Sequence, residues 1–305
     1  MSKFMVAGFV QFETIVKVDE LPVPYKQFES IPDMINTDIG GAGFNTAMAL
    51  RWLGNQVDFM SLISKQLSRE QINVYLKKNQ VDLSTDYVLT KLEGMPSSVI
   101  LYCKGNKQTF EDVKDSRTVE YDLELLERQI QDKDMVVISN CNFCRPIIGL
   151  AKKYNKPLAV NVRSMRTDKI AQKEDFLAAA DILYISNDDL ERDAYECIDE
   201  CKKKYDPSII IVGIGKRGVI LYTKEDNSVL EYKSVKTNEI VNTVGAGNAL
   251  FSAFLHYYVK TKDAKEAIKD ALLFASYKIG FVGASNGFMT EEQIEQWKEL
   301  IWTNH

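Results

Sequence analysis

One short stretch of this chain reads Asn242-Thr243-Val244-Gly245-Ala246-Gly247-Asn248, and it runs directly into the apolar segment 249–255. A glycine-rich turn of this kind aims several backbone N–H groups at one point, and a following helix adds the positive end of its dipole. The pattern predicts a site for a phosphate or for an anion that develops during a reaction. Taken alone, it is equally typical of an ordinary glycine-rich connection in which Asn248 is a helix N-cap.

The composition around this stretch is that of an ordinary globular protein. The chain has 305 residues, 45% of them hydrophobic and 27% charged, with a formal net charge of −5. This length suits a large α/β domain with an appendage, or two domains. The negative charge gives no reason to expect nucleic acid, and no leader segment or apolar run of membrane-spanning length is present. We therefore expect a cytoplasmic protein with no nucleic-acid partner and no membrane partner.

The cysteines and histidines offer little chemistry. The five cysteines are Cys103, Cys141, Cys144, Cys197 and Cys201. We interpret them as reduced thiols. A four-cysteine zinc site is a weaker alternative, because the second pair has the wrong spacing for a zinc ribbon. The two histidines, His256 in a predicted helix and the C-terminal His305, argue against a histidine base or a histidine-rich metal cluster.

Apolar runs of strand length alternate with helical patterns along most of the chain. The predicted strands are residues 4–9, 57–63, 135–139, 158–162, 182–185 and 209–212. The predicted helices are residues 43–53, 68–79, 146–154, 188–204, 249–259, 264–279 and 291–301. This βαβα order predicts a mostly parallel sheet with helices on both faces.

Two segments break this alternation. Residues 10–18 alternate polar and apolar side chains, and residues 97–110 have the pattern of a β-hairpin around Gly105-Asn106. We predict that they are antiparallel strands outside the main sheet, which together form a small lid over its edge. Two ordinary edge hairpins are the alternative.

Three further clusters carry candidate binding residues. Gly40-Gly41-Ala42-Gly43-Phe44-Asn45 precedes a helix, and Asn45 offers a donor and an acceptor to a polyol. Gly213-Ile214-Gly215-Lys216-Arg217-Gly218 follows a predicted strand and carries two cations suited to nucleotide phosphates, although a solvated hairpin turn has the same pattern. Asn161-Val162-Arg163 ends another strand with a guanidinium that suits an anionic substrate group.

The order of these clusters resembles the ribokinase-like (PfkB) family of carbohydrate kinases over nearly the whole chain. Residues 40–54 are similar to the family's first signature, and residues 242–255 are similar to the second, D-T-x-G-A-G-D-x-F. The loop 213–218 is similar to the family's nucleotide-side loop, and Asn187 to its N-x-x-E asparagine. Asn161 and Arg163 are similar to a D-x-N-x-R element of its sugar-acid and fructose kinases.

The resemblance implies one three-layer α/β/α domain over residues 1–305, with a mostly parallel sheet and a β-sheet lid near residues 10–37 and 87–111. It implies ATP and Mg²⁺, a K⁺-type ion beside the anion site, and a homodimer through the lid. The implied catalytic residues are Gly245, Ala246, Gly247 and Asn248, and the implied substrate-binding residues are Glu13, Gly41, Asn45 and Arg163. The implied cofactor-binding residues are Asn187, Gly215, Lys216, Arg217, Gly218 and Thr243, and the implied monovalent-ion ligands are Asn242 and Val244.

Several residues depart from the family pattern. Asn248 replaces the aspartate that takes the hydroxyl proton, and Asn242 replaces the aspartate that resembles an ion ligand. Leu190 stands for the N-x-x-E glutamate, with Asp188, Asp189 and Glu191 as stand-ins, and Gly213 stands for a usual threonine. A neutral amide orients a hydroxyl but does not accept its proton. Two hypotheses follow: a kinase of reduced activity for a sugar or related polyol, and a non-catalytic pseudokinase that senses a sugar or nucleotide.

Overall fold

The computed structural model describes residues 1–163, 165–187 and 190–302, without the side chain of Thr167. Its strands are β1 (Lys3–Ala7), β2 (Gln11–Lys17), β3 (Ile35–Gly40), β4 (Gln56–Ser64), β5 (Val88–Leu92), β6 (Ser97–Cys103), β7 (Asn106–Asp112), β8 (Met135–Ser139), β9 (Leu158–Val162), β10 (Ile182–Ser186), β11 (Ile209–Gly213), β12 (Gly218–Thr223) and β13 (Ser228–Lys233). Its helices are α1 (Ala42–Trp52), α2 (Arg69–Lys78), α3 (Leu123–Ile130), α4 (Arg145–Lys153), α5 (Glu174–Ala179), α6 (Ala194–Tyr205), α7 (Ala246–Thr261), α8 (Ala264–Lys278) and α9 (Glu291–Trp302).

Within these residues, a nine-stranded sheet has the order β13-β12-β11-β10-β9-β8-β1-β4-β5. The strands from β11 to β5 pair in parallel, and only the edge strands β12 and β13 are antiparallel. Because parallel strands run in one direction, the loops after β1, β8, β9, β10 and β11 all emerge at the same edge of the sheet. In such sheets this is the edge at which ligands bind.

Helices cover both faces of this sheet. Side chains alternate along each strand, so Phe4 and Val6 of β1 face one core, while Met5 and Ala7 face the other. The first core is completed by α1, α2, α7, α8 and α9, and the second by α3, α4, α5 and α6. The three-layer α/β/α architecture predicted from the sequence is confirmed.

The segments that break the alternation form a separate four-stranded sheet, with the order β3-β2-β6-β7. This is the predicted lid, and the alternative of two unconnected edge hairpins is wrong. Two details differ from the prediction. Strands β2 and β6 pair in parallel rather than antiparallel. Residues 88–92, which we placed in the lid, form β5 and pair with β4 of the large sheet, because Val88 and Leu92 are buried there.

Helix boundaries differ from the sequence prediction at two places near the site. We predicted a helix over residues 188–204, but α6 begins at Ala194, where the Asp193 side chain accepts a hydrogen bond from the Tyr195 N–H. We predicted the start of another helix at residue 249, whereas α7 begins at Ala246. Asn248 is therefore inside the first turn of α7 and is not its N-cap.

The described residues contain no helix that is long and apolar enough to cross a membrane. They also contain no group of three or more histidine, cysteine or acidic side chains that would hold a metal ion, so the four-cysteine zinc alternative finds no support. All five cysteines are buried and unbridged. His256 hydrogen-bonds with the side-chain amide of Asn55 inside the core, which is a structural role, and His305 lies outside the described residues.

Candidate active site

The turn before α7 requires glycine at its centre. Gly245 caps the helix with φ 81°, in the left-handed region, and a Cβ atom there would lie 2.5 Å from the Ala284 carbonyl oxygen. A residue with a side chain would meet both a backbone penalty and a clash at this position. The sequence 245–247 therefore folds as a sharp turn that places the backbone of Gly247 and Asn248 at the N-terminal end of α7.

The turn before α7 carries open backbone donors. The Ala246 N–H donates back to the Thr243 carbonyl at 3.3 Å, while no partner within the described residues takes the N–H groups of Gly247 and Asn248. The first N–H groups of a helix have no intrahelical acceptor, and the helix dipole places partial positive charge there. Because they open a helix of 16 residues, these two donors suit a phosphoryl group.

The side chain of Asn248 is held by a second amide. Asn161 lies at the end of β9, is 7% exposed, and donates from Nδ2 to Asn248 Oδ1 at 2.9 Å. This bond fixes the Asn248 oxygen toward Asn161. The pair orients polar groups, but it contains no proton acceptor of useful basicity.

A buried lysine lies behind the turn. Lys278, the last residue of α8, is 0% exposed, and its Nζ donates to the Val244 carbonyl at 2.6 Å and to the Gly283 carbonyl. Burial lowers the pKa of this ammonium to about 8, and the Glu13 carboxylate acts in the opposite direction. The sequence analysis did not identify Lys278, because a lysine at a helix end is usually an exposed partner of the helix dipole.

The predicted monovalent-ion ligands are occupied by protein donors. Asn242 Oδ1 accepts a hydrogen bond from the Val244 N–H at 3.0 Å, and its Nδ2 donates to the Phe281 carbonyl at 3.3 Å. The Val244 carbonyl, which we expected to bind a K⁺-type ion, accepts from Lys278 instead. A metal ion would need such carbonyl oxygens as ligands, but both already accept hydrogen bonds from nitrogen donors. These residues therefore do not fit a monovalent metal ion.

The other glycine turn lies beside a buried carboxylate. Gly41 caps α1 with φ 108°, and a Cβ atom at the preceding Gly40 would lie 3.0 Å from Glu13 Cδ. Glu13 of β2 is 8% exposed, and burial raises its pKa, while Arg163 and Lys278 oppose that shift. Asn45, in the first turn of α1, is 2% exposed, and its Oδ1 has no hydrogen-bond partner. An unpaired buried amide and a carboxylate suit the hydroxyl groups of a polyol.

Arg163 connects the two sheets. It follows β9 of the large sheet, and its Nη1 lies 2.9 Å from Glu111 Oε1 on the lid strand β7. The side chain of Arg163 is about half exposed. The structure therefore brings Glu13, Gly41, Asn45 and Arg163 into one region between the lid and the large sheet.

A cleft of about 180 Å³ lies at the ends of β10 and β11. It is lined by Asn187, Leu190, Arg192, Asp193, Ala194, Ile214 and Arg217. Among the predicted cofactor-binding residues, Asn187 and Arg217 line the cleft, while Gly215 and Lys216 are exposed beside it. Residues 213–218 are also the turn that joins the antiparallel strands β11 and β12, so the hairpin alternative describes their geometry.

Tyr184 joins this loop to the turn before α7. It lies on β10, stacks on Phe251 of α7, and its hydroxyl would lie 2.9 Å from a Cβ atom at Gly213 and 2.4 Å from one at Gly247. A Cβ atom at either position would therefore crowd the tyrosine hydroxyl. The departure from threonine at Gly213 has a physical reason, since the tyrosine hydroxyl fills that space. An apolar strand pattern alone did not single out Tyr184.

Of the three stand-ins for the N-x-x-E glutamate, Glu191 is the one that lies among the described residues. Asp188 and Asp189 lie outside the described residues, and Glu191 Oε1 lies 3.8 Å from Arg166 Nε. Leu190 lines the cleft with an apolar side chain.

Comparisons with known proteins identify the family of this chain. A family model described as pfkB family carbohydrate kinase matches residues 3–291. A nucleoside kinase from Methanocaldococcus jannaschii is 22% identical, over 96% of this chain and 96% of that protein. The structure of a microbiome-derived acarbose kinase superposes with a TM-score of 0.81 at 21% identity, covering 97% of this chain and 98% of that one. An Arabidopsis thaliana ribokinase, complexed with ribose and ATP, gives 0.77 at 18% identity, covering 97% and 98%. The chain belongs to the pfkB family of carbohydrate kinases.

Proposed function

We propose that this protein transfers the γ-phosphoryl group of ATP to a hydroxyl of a sugar, nucleoside or related small polyol. The observation that carries the proposal is the turn at Gly245. There, at the N-terminal end of α7, the N–H groups of Gly247 and Asn248 have no acceptor within the described residues. Phosphoryl transfer depends on positioning and on electrostatic stabilisation more than on covalent chemistry. A fixed pair of backbone donors supplies that stabilisation without reorganisation.

The acceptor lies, in this proposal, between the lid and the α1 turn. Glu13 and Asn45 hold its hydroxyl groups, and Arg163 closes the mouth of the site through its ion pair with Glu111. The nucleotide lies over the loop 213–218, with its base in the cleft beside Asn187 and Arg217. The shared tyrosine, Tyr184, keeps this loop and the anion turn at a fixed spacing.

Mg²⁺ enters the proposal with the nucleotide. A bound Mg²⁺ would neutralise phosphate charge, and it is commonly held by phosphates with one or two carboxylates rather than by a cage of protein ligands. The absence of a three-ligand cluster in the described residues is compatible with that mode, but it assigns no ligand. The groups derived for this chain are therefore the backbone donors of Gly247 and Asn248 and the side chains around them.

Asn248 supports a second candidate function. Its amide accepts a hydrogen bond from Asn161 and takes no proton, so a protein that binds sugar and nucleotide without transfer is the competing proposal. Loss of a catalytic base typically lowers a rate by about 10²–10⁴-fold, which leaves a measurable residual transfer. We favour the slow kinase because the anion site itself is complete.

The two functions are separated by incubating the protein with ATP, MgCl₂ and a panel of pentoses, hexoses and nucleosides. ADP release and the mass of the acceptor product are measured. Slow formation of a phosphorylated acceptor supports the kinase. Binding of both ligands by calorimetry without any product supports the sensor.

Exposed apolar side chains on the lid motivate one further proposal. Val99 and Phe110 are direct cross-strand neighbours on β6 and β7, and both are exposed. A homodimer through the lid would cover them. Sedimentation analysis of the protein and of Phe110→Lys tests it, with a dimer that dissociates in the variant as the supporting result.

A further inference from the structure

Lys278 is a buried cation with no acidic partner among the described residues. Within the described part of the chain, no carboxylate lies within ion-pair distance of its Nζ, which contacts only the Val244 and Gly283 carbonyls in the bonds described above. Lys133, another buried lysine, is instead paired with Asp58 at 2.9 Å. Keeping an ammonium in the interior without a counterion costs free energy, so its presence needs a local reason.

The hydrogen bond from Lys278 to the Val244 carbonyl explains why an ammonium is buried here. In an α-helix the N–H of residue i donates to the carbonyl of residue i−4, and for Asn248 that carbonyl would be Val244. The left-handed turn at Gly245 interrupts this pattern, and Lys278 binds the Val244 oxygen at 2.6 Å. The Asn248 N–H, in the first turn of α7, makes no bond to Val244 and is free to face an anion.

The second carbonyl attaches the turn to the loop after α8. Lys278 also binds the Gly283 oxygen, and Asn242 Nδ2 donates to the Phe281 oxygen of the same loop. The neighbouring Ala284 carbonyl packs against Gly245. The ammonium and the Asn242 amide thus fasten the loop 279–284 beneath the phosphate-binding turn.

We propose that Lys278 is a built-in cation and a positioning residue, which holds the Val244 carbonyl in place of a monovalent metal ion and so fixes the phosphate-binding turn. This inference rests on the proposed function, because it assumes that the turn binds phosphate. The neutral Asn242 belongs to the same arrangement, since an amide donates to a carbonyl that an aspartate would repel. Nucleotide binding is then independent of K⁺.

The first test compares salts on the unmodified protein. The affinity for AMP-PNP with MgCl₂ is measured by calorimetry in KCl and in tetramethylammonium chloride at equal ionic strength. The expected dissociation constants agree within about twofold, which is near the scatter of such measurements. An affinity at least tenfold higher in KCl would overturn the proposal, because a metal ion would then be completing the site.

The second test removes the charge. Lys278→Met keeps an unbranched side chain, and Lys133→Met is the matched control, because it removes a buried lysine away from the site. We expect Lys278→Met to weaken AMP-PNP binding by about tenfold or more, as expected for loss of a charged hydrogen bond, and Lys133→Met to leave the affinity unchanged. A folded Lys278→Met protein with unchanged affinity contradicts the proposal. If that variant does not fold, the comparison of salts decides alone.

Failure of the two proposals can be told apart. AMP-PNP binding without phosphoryl transfer to any acceptor would count against the proposed function and leave the role of Lys278 standing. K⁺-dependent binding with transfer would count against Lys278 alone. No AMP-PNP binding in either salt would overturn both.

Discussion

The two glycine-capped helices, α1 and α7, have similar backbones and different surroundings. Gly41 and Gly245 both cap a helix with positive φ, and the helices are neighbours, since Ser252 Oγ of α7 lies 3.4 Å from the Thr46 carbonyl oxygen of α1. The α1 turn faces the carboxylate of Glu13, while the α7 turn is backed by the ammonium of Lys278. The two turns thus differ in the buried charge beside each, and this difference is the basis for proposing hydroxyl binding at the α1 turn and phosphate binding at the α7 turn.

The largest expected effect is a gain in the rate of phosphoryl transfer, from a substitution in the first turn of α7. In Asn248→Asp the carboxylate still accepts the hydrogen bond from Asn161 Nδ2, so the side chain keeps its position. Restoring a base should raise phosphoryl transfer by about 10²–10⁴-fold. Initial rates of ADP release measure it, with Asn227→Asp in an exposed turn as the control. No gain, with ligand affinities unchanged, would favour the sensor.

The next largest effect is a lower rate of phosphoryl transfer, caused by crowding at the same turn. A methyl group at Gly247 meets the Tyr184 hydroxyl, and overpacking of this kind costs about 1–3 kcal/mol. Gly247→Ala should therefore lower the transfer rate by about 10–100-fold, with partial recovery in Gly247→Ala/Tyr184→Phe. Gly149→Ala is the matched control, because a Cβ atom there meets open space. Equal rates in Gly247→Ala and Gly149→Ala would contradict a close approach of the phosphate to this turn.

At the α1 turn we expect a substitution to weaken binding of the acceptor and to leave binding of the nucleotide unchanged. Glu13→Gln removes the charge that binds hydroxyl donors, and loss of such a bond should raise KM for the acceptor by about tenfold or more. The affinity for AMP-PNP should stay the same. Steady-state kinetics and calorimetry measure the two values, with the exposed Glu20→Gln as a control. A change in nucleotide affinity instead would reverse the assignment of the two turns.

The smallest effect is expected in the nucleotide cleft. Arg217 is more than half exposed and paired with Glu231 at 2.9 Å, and exposed pairs of this kind contribute about 0–1 kcal/mol. Arg217→Ala should weaken AMP-PNP binding by no more than about fivefold. Lys224→Ala, an exposed cation at the distal end of the same hairpin, should have no effect. A loss of a hundredfold would show that the guanidinium binds phosphate directly.

The sequence predicted the architecture because the architecture depends on repeating patterns. Alternation of strand and helix periods identified the parallel sheet, and the two segments outside that alternation identified the lid. It placed the start of α7 three residues late, since Asn248 resembles an N-cap, and only the backbone shows that Gly245 takes that position. It assigned residues 88–92 to the lid because their pattern does not reveal which sheet they join.

Parts of the site could not be predicted, because they depend on contacts between distant segments. Lys278 is 34 residues from Val244, and Tyr184 is far from Gly247 in sequence, so no local pattern marks either contact. Asn242 and Gly213 were identified from the sequence as departures from the family pattern. In the structure each is matched by a side chain from another element, Lys278 for the first and Tyr184 for the second.

A crystal structure with AMP-PNP, MgCl₂ and ribose or a nucleoside tests the difference between the two turns most directly. The account predicts the terminal phosphate at about 2.7–3.2 Å from the N–H nitrogens of Gly247 and Asn248, with acceptor hydroxyls on Glu13 and Asn45. Lys278 Nζ would remain on the Val244 carbonyl. A phosphate bound at the α1 turn, or a metal ion on Val244 with Lys278 displaced, would contradict it.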